Sequence, residues 1–215
     1  MGTRHLTMVF EGGEYRVAQY GQWDGYPHGA GLKVLEFART PGALAALRAK
    51  LPTLVRATNE THPDAPSLDR DLGAGILAMI VGSADGLPVA LDVEFAADSL
   101  YCEWVWVIDF DRGTFEGFEG FNHKPLRSKR ERFHFLMPKA RRENERRREM
   151  HNRDAKRAKI GGRKHYRFSP YYPVKHVATW PLDKLPTHEA FLAAFVKEED
   201  DAILYHTVRE IQKAK

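Results

Sequence analysis

A chain of 215 residues, 43% apolar and 11% aromatic, has the length and composition of one globular domain with a sizeable core. No apolar run approaches the roughly 20 residues that span a bilayer, so no membrane partner is expected; the single cysteine, Cys102, excludes an internal disulfide and a cysteine-rich zinc site. The net charge of +4 hides an asymmetry: residues 124–167 hold 18 Lys and Arg against 5 Asp and Glu, a balance of +13, and the remainder holds 15 against 24, a balance of −9.

The opening, Met1-Gly2-Thr3-Arg4-His5-Leu6, carries neither the apolar stretch of a secretory signal nor a myristoylation pattern, and the chain reads as a protein of the reducing cytoplasm. Residues 6–10 form an apolar run, Glu11-Gly12-Gly13-Glu14 has turn chemistry, and residues 15–20 follow with strand formers, which predicts a β-hairpin. Residues 21–31 contain four glycines and a proline, the composition of a shaped loop. From Leu32 the spacing turns helical, and Thr40 then predicts an N-cap for a second helix over 43–49 with Pro41 in its first turn. Residues 58–66 read as a loop. Ser67 predicts the start of a helix over 68–81, with Leu72, Ile76, Leu77 and Ile80 on one face.

Residues 89–95 alternate apolar and acidic side chains, as a half-buried strand does. Residues 103–110 and 114–118, around Asp111-Arg112-Gly113, are the clearest hairpin in the chain. Residues 139–159 contain no Gly or Pro and almost nothing apolar, so a helix polar all round is predicted, ended by Gly161-Gly162. A strand from Tyr171 to about Trp180, a helix opened by Thr187 and a last helix over 200–213 complete the pattern. Strands in hairpins and helices in groups predict an α+β fold, an antiparallel sheet with packed helices. Residues 1–215 form a single domain, with 124–167 as a basic helical insertion.

Two regions carry candidate chemistry. In the first, Gln22, Trp23, Asp24 and Tyr26 put an amide, an acid and two aromatic surfaces on a glycine-rich loop. Arg4, Arg70 and Asp71 are expected to converge with them as a ligand-binding cluster; the structural alternative is an ion-pair cluster with aromatics pinning the loop. The glycines do not have phosphate-loop spacing, and the ten histidines are scattered without metal-ligand spacing, so no metal or cofactor is expected. Cys102 reads as a buried small hydrophobe.

Residues 3–7, the run Val17-Ala18-Gln19-Tyr20-Gly21-Gln22-Trp23-Asp24-Gly25-Tyr26-Pro27, residues 68–74 and the hairpin residues 103–109 resemble a family of uncharacterised proteins encoded by bacteriophages, bacteria and fungi. Tyr172-Pro173-Val174-Lys175 and Leu185-Pro186-Thr187 fit the same resemblance, which implies no established reaction and makes residues 124–167 an enlarged insertion in a shared core. Relatives opening with Cys at position 2 would be similar to N-terminal-nucleophile hydrolases, in which the first residue attacks an amide. Here Gly2 stands at that position and has no nucleophile.

The second region is the basic segment. Arg141, Arg142, Arg146, Arg147, Arg148, Arg153, Lys156, Arg157, Arg163 and Lys164 put positive charge on several helical faces, an array suited to phosphate backbone. Phe133, His134, Phe135, His165, Tyr166 and Phe168 are candidates to stack on exposed bases. The leading expectation is a non-enzymatic accessory protein that binds nucleic acid through its backbone. Alternatives are an N-terminal-nucleophile-like amidohydrolase, active or degenerate, and a phage host-interaction factor docking on an acidic protein.

Overall fold

Gly12 and Gly13 have φ of 66° and 79°, which glycine adopts without strain and which matches the twist of a two-residue hairpin turn. They join β1 (His5–Glu11) to β2 (Glu14–Gly21). The computed structural model describes residues 2–58, 60–160 and 167–196. The expected helix over 200–213, the Gly161-Gly162 stop and the candidates Arg163, Lys164, His165 and Tyr166 lie outside the described residues.

The second hairpin also forms as predicted, from β5 (Trp104–Asp109) and β6 (Thr114–Glu119). With β7 (Lys175–Pro181) these strands make one five-stranded sheet of order β2-β1-β5-β6-β7. The expectation of a purely antiparallel sheet is corrected at one junction, because β1 and β5 pair in parallel. Both strands are buried on both faces, the setting in which parallel pairs occur. The two hairpins are also latched at their tips: the Asp111 carboxylate accepts the Gly12 and Gly13 amides, each at 2.8 Å.

Strand alternation sends side chains to two separate cores. Val9, Val17, Trp106, Ile108 and Phe115 face α1 (Leu32–Arg39), α2 (Ala43–Lys50), α3 (Ile76–Gly82) and α5 (His188–Ala193). Leu6, Met8, Ala18, Val105, Val107 and Phe118 face the turn Val93–Ala97 and the residues Phe133, Leu136 and Met137 that lead into α4 (Met137–Ile160). Thr187 caps α5 as expected, its hydroxyl accepting the Ala190 amide at 3.2 Å.

Three local expectations are corrected. Thr40 ends α1, with its hydroxyl on the Glu36 carbonyl, and Gly42 (φ 78°) starts α2. The helix expected over 68–81 is confined to 76–82, because Asp69 accepts the Asp71 amide in a side-chain turn and Gly73 is left-handed (φ 46°). Ser67 instead donates to the Pro88 carbonyl. The strand expected over 89–95 is reduced to β4 (Pro88–Val89), paired with the short β3 (Val55–Arg56), and a parallel bridge from Leu91 to Ala18. Asp92 and Glu94 then sit in the turn at Val93–Ala97.

Arg132 lies under the first-hairpin aromatics and grips two carboxylates from the second hairpin. Its Nε and Nη2 donate to Glu116 at 2.7 Å each, and Nη2 also reaches Asp109, which is fully buried. Burial alone would raise the Glu116 carboxyl, but the Arg132 hydrogen bonds outweigh it and hold the carboxyl below its ordinary range. Removing the guanidinium leaves buried charges uncompensated, which costs about 3–5 kcal/mol. Arg132→Met is therefore expected to lose about that much stability in urea unfolding. Because the folded Glu116 binds its proton more weakly than the unfolded one, its contribution is present above about pH 4.3 and is lost on further acidification. The acid limb of stability should be steeper in the wild type than in Arg132→Met.

Candidate functional site

The loop after β2 is shaped by an indole. Trp106, fully buried, donates Nε1–H to the Gly25 carbonyl at 3.1 Å, and its ring lies where a Cβ on Gly31 would sit, 2.8 Å from Cζ2. Asp24 is left-handed (φ 54°), a conformation Asp tolerates, and its carbonyl accepts the Ala30 amide at 2.7 Å to close the turn over Pro27–Gly31. The loop opens on a network rather than on free groups. Gln22 Oε1 accepts from Tyr20 at 2.6 Å and from Arg70, the Gln22 amide donates to the Arg70 carbonyl at 2.8 Å, and Trp23 Nε1 donates to Asp71 at 2.8 Å. Trp23 and Tyr26 keep 53% and 43% of their surface open, and Tyr26 stacks on His28.

Gln22, Trp23, Arg70 and Asp71 therefore converge as expected, beside Asp24 and Tyr26. Arg4 does not join them. Its guanidinium pairs with Glu103 at 3.6 Å and lies 4.8 Å from the Tyr101 ring, because β1 starts beside β5 and carries Arg4 to the opposite face from His5. At position 2 a Cβ would meet the Gln22 carbonyl oxygen at 2.4 Å and the Trp23 ring at 2.6 Å, and Thr3 is buried with its carbonyl on the Gly25 amide. An N-terminal nucleophile at position 2 has no room in this arrangement.

Beneath the loop sits His5, which the sequence did not single out. Cβ atoms on Gly21, Gly25 and Gly73 would all collide with its side chain, so three glycines form its cradle. Both ring nitrogens lack a hydrogen-bond partner, as do the Thr7 hydroxyl and the Gln19 carbonyl oxygen nearby on β1 and β2. Burial pushes the imidazole down to about 4. Cys102 is fully buried and its thiol is pushed well up, by burial first. Among the described residues no three His, Cys, Asp or Glu side chains gather as a metal-binding group, and no helix is long and apolar enough to cross a membrane.

The basic segment forms the 24-residue α4, about 36 Å long at 1.5 Å per residue. Its side chains are polar nearly all round, as predicted, yet one face is covered. Ala140, Asn144, Arg147 and His151, at spacings of four, three and four, form a seam against the body. Asn144 holds Tyr171 with both ends of its amide, Nδ2 donating to the carbonyl at 2.6 Å and Oδ1 accepting the amide at 2.9 Å. Arg147 pairs with Asp98 and lies 5.5 Å from the Tyr101 ring, Lys139 pairs with Glu94, and Arg148 lies over Phe168.

Of the predicted phosphate-binding residues, Arg147 is folded back onto the body, whereas Arg141, Arg142, Arg146, Arg148, Arg153, Lys156 and Arg157 are exposed. Among the described residues, Arg146 and Arg157 reach only carboxylates of their own helix, at 3.8 and 4.0 Å, and are 77% and 83% open. Among the predicted stacking aromatics, Phe133 is withdrawn into the core, whereas Phe135 stays 57% exposed with its ring near Tyr15 on β2. Phe168, also of the predicted set, does adjoin α4, through Arg148 and His151; the other aromatics that α4 adjoins, Tyr101 and Tyr171, come from segments whose composition offers no reason to place them there.

A cleft of about 630 Å³ separates the start of α4 from the loop network, with Tyr20 and Phe95 as its aromatic wall and Arg56, Asp92, Glu94 and Lys139 at its rim. Burial raises the Asp92 carboxyl, while the Lys139 hydrogen bond lowers that of Glu94.

His5 makes a pH signature testable. Its folded pKa lies below the unfolded value of 6.5, so the unfolded chain binds more protons between about pH 6.5 and 4, and stability falls across that window as the pH is lowered. The loss is about 3 kcal/mol at full development. Urea unfolding as a function of pH should show this slope in the wild type and lack it in His5→Asn.

No family profile, curated protein or solved structure matches the chain.

Proposed function

We propose that the protein binds nucleic acid through the solvent face of α4 and acts as a non-enzymatic accessory factor. The observation that carries this reading is the division of labour along the helix. The docking seam is satisfied by Asn144 and Arg147, and seven other cations of the predicted set stay outward, where they add to a field that attracts phosphate. Surface ion pairs such as those of Arg146 and Arg157 are worth little and are easily exchanged for phosphate. Interactions of this kind position a backbone and read no sequence, so binding is expected to be non-specific.

Fluorescence anisotropy with a labelled oligonucleotide over a salt series tests the reading. The wild type should lose affinity steeply as salt rises. Reversal of Arg141, Arg142, Arg146 and Arg148 to Glu should weaken binding and reduce the log–log salt slope by about 3–4, near one unit for each phosphate no longer neutralised. Arg147→Glu is expected to lower the thermal midpoint instead, since it places a carboxylate against Asp98. Unchanged affinity in the fourfold variant would overturn the assignment, and copurification of a protein partner that survives nuclease treatment would favour docking on an acidic protein.

A further inference from the structure

The cleft beside the start of α4 has a wall that is braced from two sides. Leu91 bridges to Ala18, and the Asp92 amide donates to the Ala18 carbonyl at 3.0 Å, which fixes this segment along the flank of β2. The turn Val93–Ala97 then brings the Phe95 ring edge-on to Tyr20, with centroids 5.2 Å apart and planes at 72°. The Tyr20 hydroxyl is tied to Gln22, so the loop network supports the wall from the other end. At about 630 Å³ the cleft falls within the about 300–1,000 Å³ of small-molecule sites.

The charged groups of the cleft are unequally satisfied. Lys139 and Glu94 pair with each other, but both are exposed, and a surface pair of this kind is worth little. Arg56, held at the rim by the pairing of β3 with β4, is exposed and has no side-chain partner among the described residues. Asp92 has none among them either, although it lines the same cleft as Arg56. Desolvation raises its carboxyl, and nothing within the protein counteracts that shift. Arg142, one of the outward cations of α4, acts on Glu94 through its charge, so the positive face of the helix begins at this rim.

We infer that this cleft binds a nucleotide, with its phosphate on Arg56 and Lys139, its base against Tyr20 and Phe95, and an N–H of the base donated to Asp92. The inference goes beyond the reading of α4, because the cleft's own residues carry it. Each part of the lining asks for a different chemistry. The two cations suit an anion with several oxygens, and the aromatic wall suits a flat ring. A carboxylate can only accept, so Asp92 asks for a donor. Inorganic phosphate and sugar phosphates bring no ring, whereas a nucleotide joins all three on one molecule. When Lys139 turns to the phosphate, Glu94 keeps the charge of Arg142 as its counterpart. A free nucleotide and an unpaired unit of a strand lying on α4 offer the same chemistry.

Calorimetric titration of the full chain with AMP, GMP and ribose 5-phosphate tests the inference, alongside a labelled oligonucleotide. Ribose 5-phosphate is expected to bind about 5- to 150-fold more weakly than the nucleotides, the range that loss of one stacked base produces. Arg56→Ala, which removes an exposed side chain, should weaken nucleotide binding at least about tenfold and leave the thermal midpoint unchanged. Asp92→Asn should weaken the nucleotides and leave ribose 5-phosphate no weaker. Mononucleotides that do not bind, with an oligonucleotide weakened by both Arg56→Ala and Asp92→Asn, would identify the ligand as a unit of a strand. An oligonucleotide weakened by Arg56→Ala alone would make Arg56 one more phosphate contact and overturn the site. Equal affinity for AMP and ribose 5-phosphate, or no effect of Arg56→Ala on any probe, would also overturn it and leave the α4 reading standing. A wild type that takes mononucleotides but no oligonucleotide would uphold the cleft and remove the α4 reading; one that ignores every probe would remove both.

Discussion

Beyond the buried Met137 and Ala140 at its start, α4 has no apolar stripe, so hydrogen bonds hold the rest of the docked face, and Asn144 supplies the central pair. A side-chain amide that meets a backbone amide end to end satisfies both partners, which makes burial of Asn144 tolerable and fixes the rotation of the helix about its axis. Rotation decides which cations face outward. With Asn144 inward, Arg147 one turn on must meet Asp98, and Arg141, Arg142, Arg146, Arg148 and Arg153 must point away. The same clamp positions Tyr171 and the adjoining Tyr172, whose amide donates to the Asn122 carbonyl. The body's acidic balance then has a local use: Asp109 and Glu116 receive Arg132, Glu94 receives Lys139 and Asp98 receives Arg147.

The glycine-rich loop follows a different logic. Its glycines serve close approach to Trp106 and His5, and its polar groups bond largely to one another, from Tyr20 through Gln22 to Arg70 and from Trp23 to Asp71. It is a stiff lid over a buried histidine, with Trp23 and Tyr26 as its open surfaces. The two ring nitrogens of His5, together with Thr7 and Gln19, make this the least satisfied part of the described interior, which marks it as polar ground inside an otherwise apolar core.

Both hairpins are legible in the sequence because turn chemistry and strand composition agree locally: Gly12-Gly13 and Asp111-Arg112-Gly113 lie between runs with nothing else to become. The long helix is legible for a similar reason, as is the Thr187 cap. Periodicity misleads over 68–81 because Leu72 shares the apolar spacing of Ile76 and Ile80, whereas the close approach of Gly73 to His5, distant in sequence, decides the backbone there. Residues 89–95 alternate like a strand, yet the open flank of β2 accepts them only at Leu91. In the candidate site, the expectation that short polar loops meet brings Arg70 and Asp71 to the glycine-rich loop, but not the particular contacts of Gln22 with Arg70 and Trp23 with Asp71. Only the pairing of β1 with β5, invisible to local pattern, separates Arg4 from them. Asn144 carries no signal, since it is an ordinary polar residue on a polar helix.

The parallel junction between β1 and β5 has a consequence for how the chain reaches this state. Each hairpin can close on its own, but the sheet is joined only when segments 99 positions apart meet at the latch of Asp111 on the first turn. Pairings of such high sequence separation slow the search for the native topology, because chain closure must come before the stabilisation it brings. During synthesis, the first hairpin emerges long before its partner and presents an unpaired strand flank to the surroundings. Newly made chains therefore pass through a stage at which self-association competes with completion of the sheet.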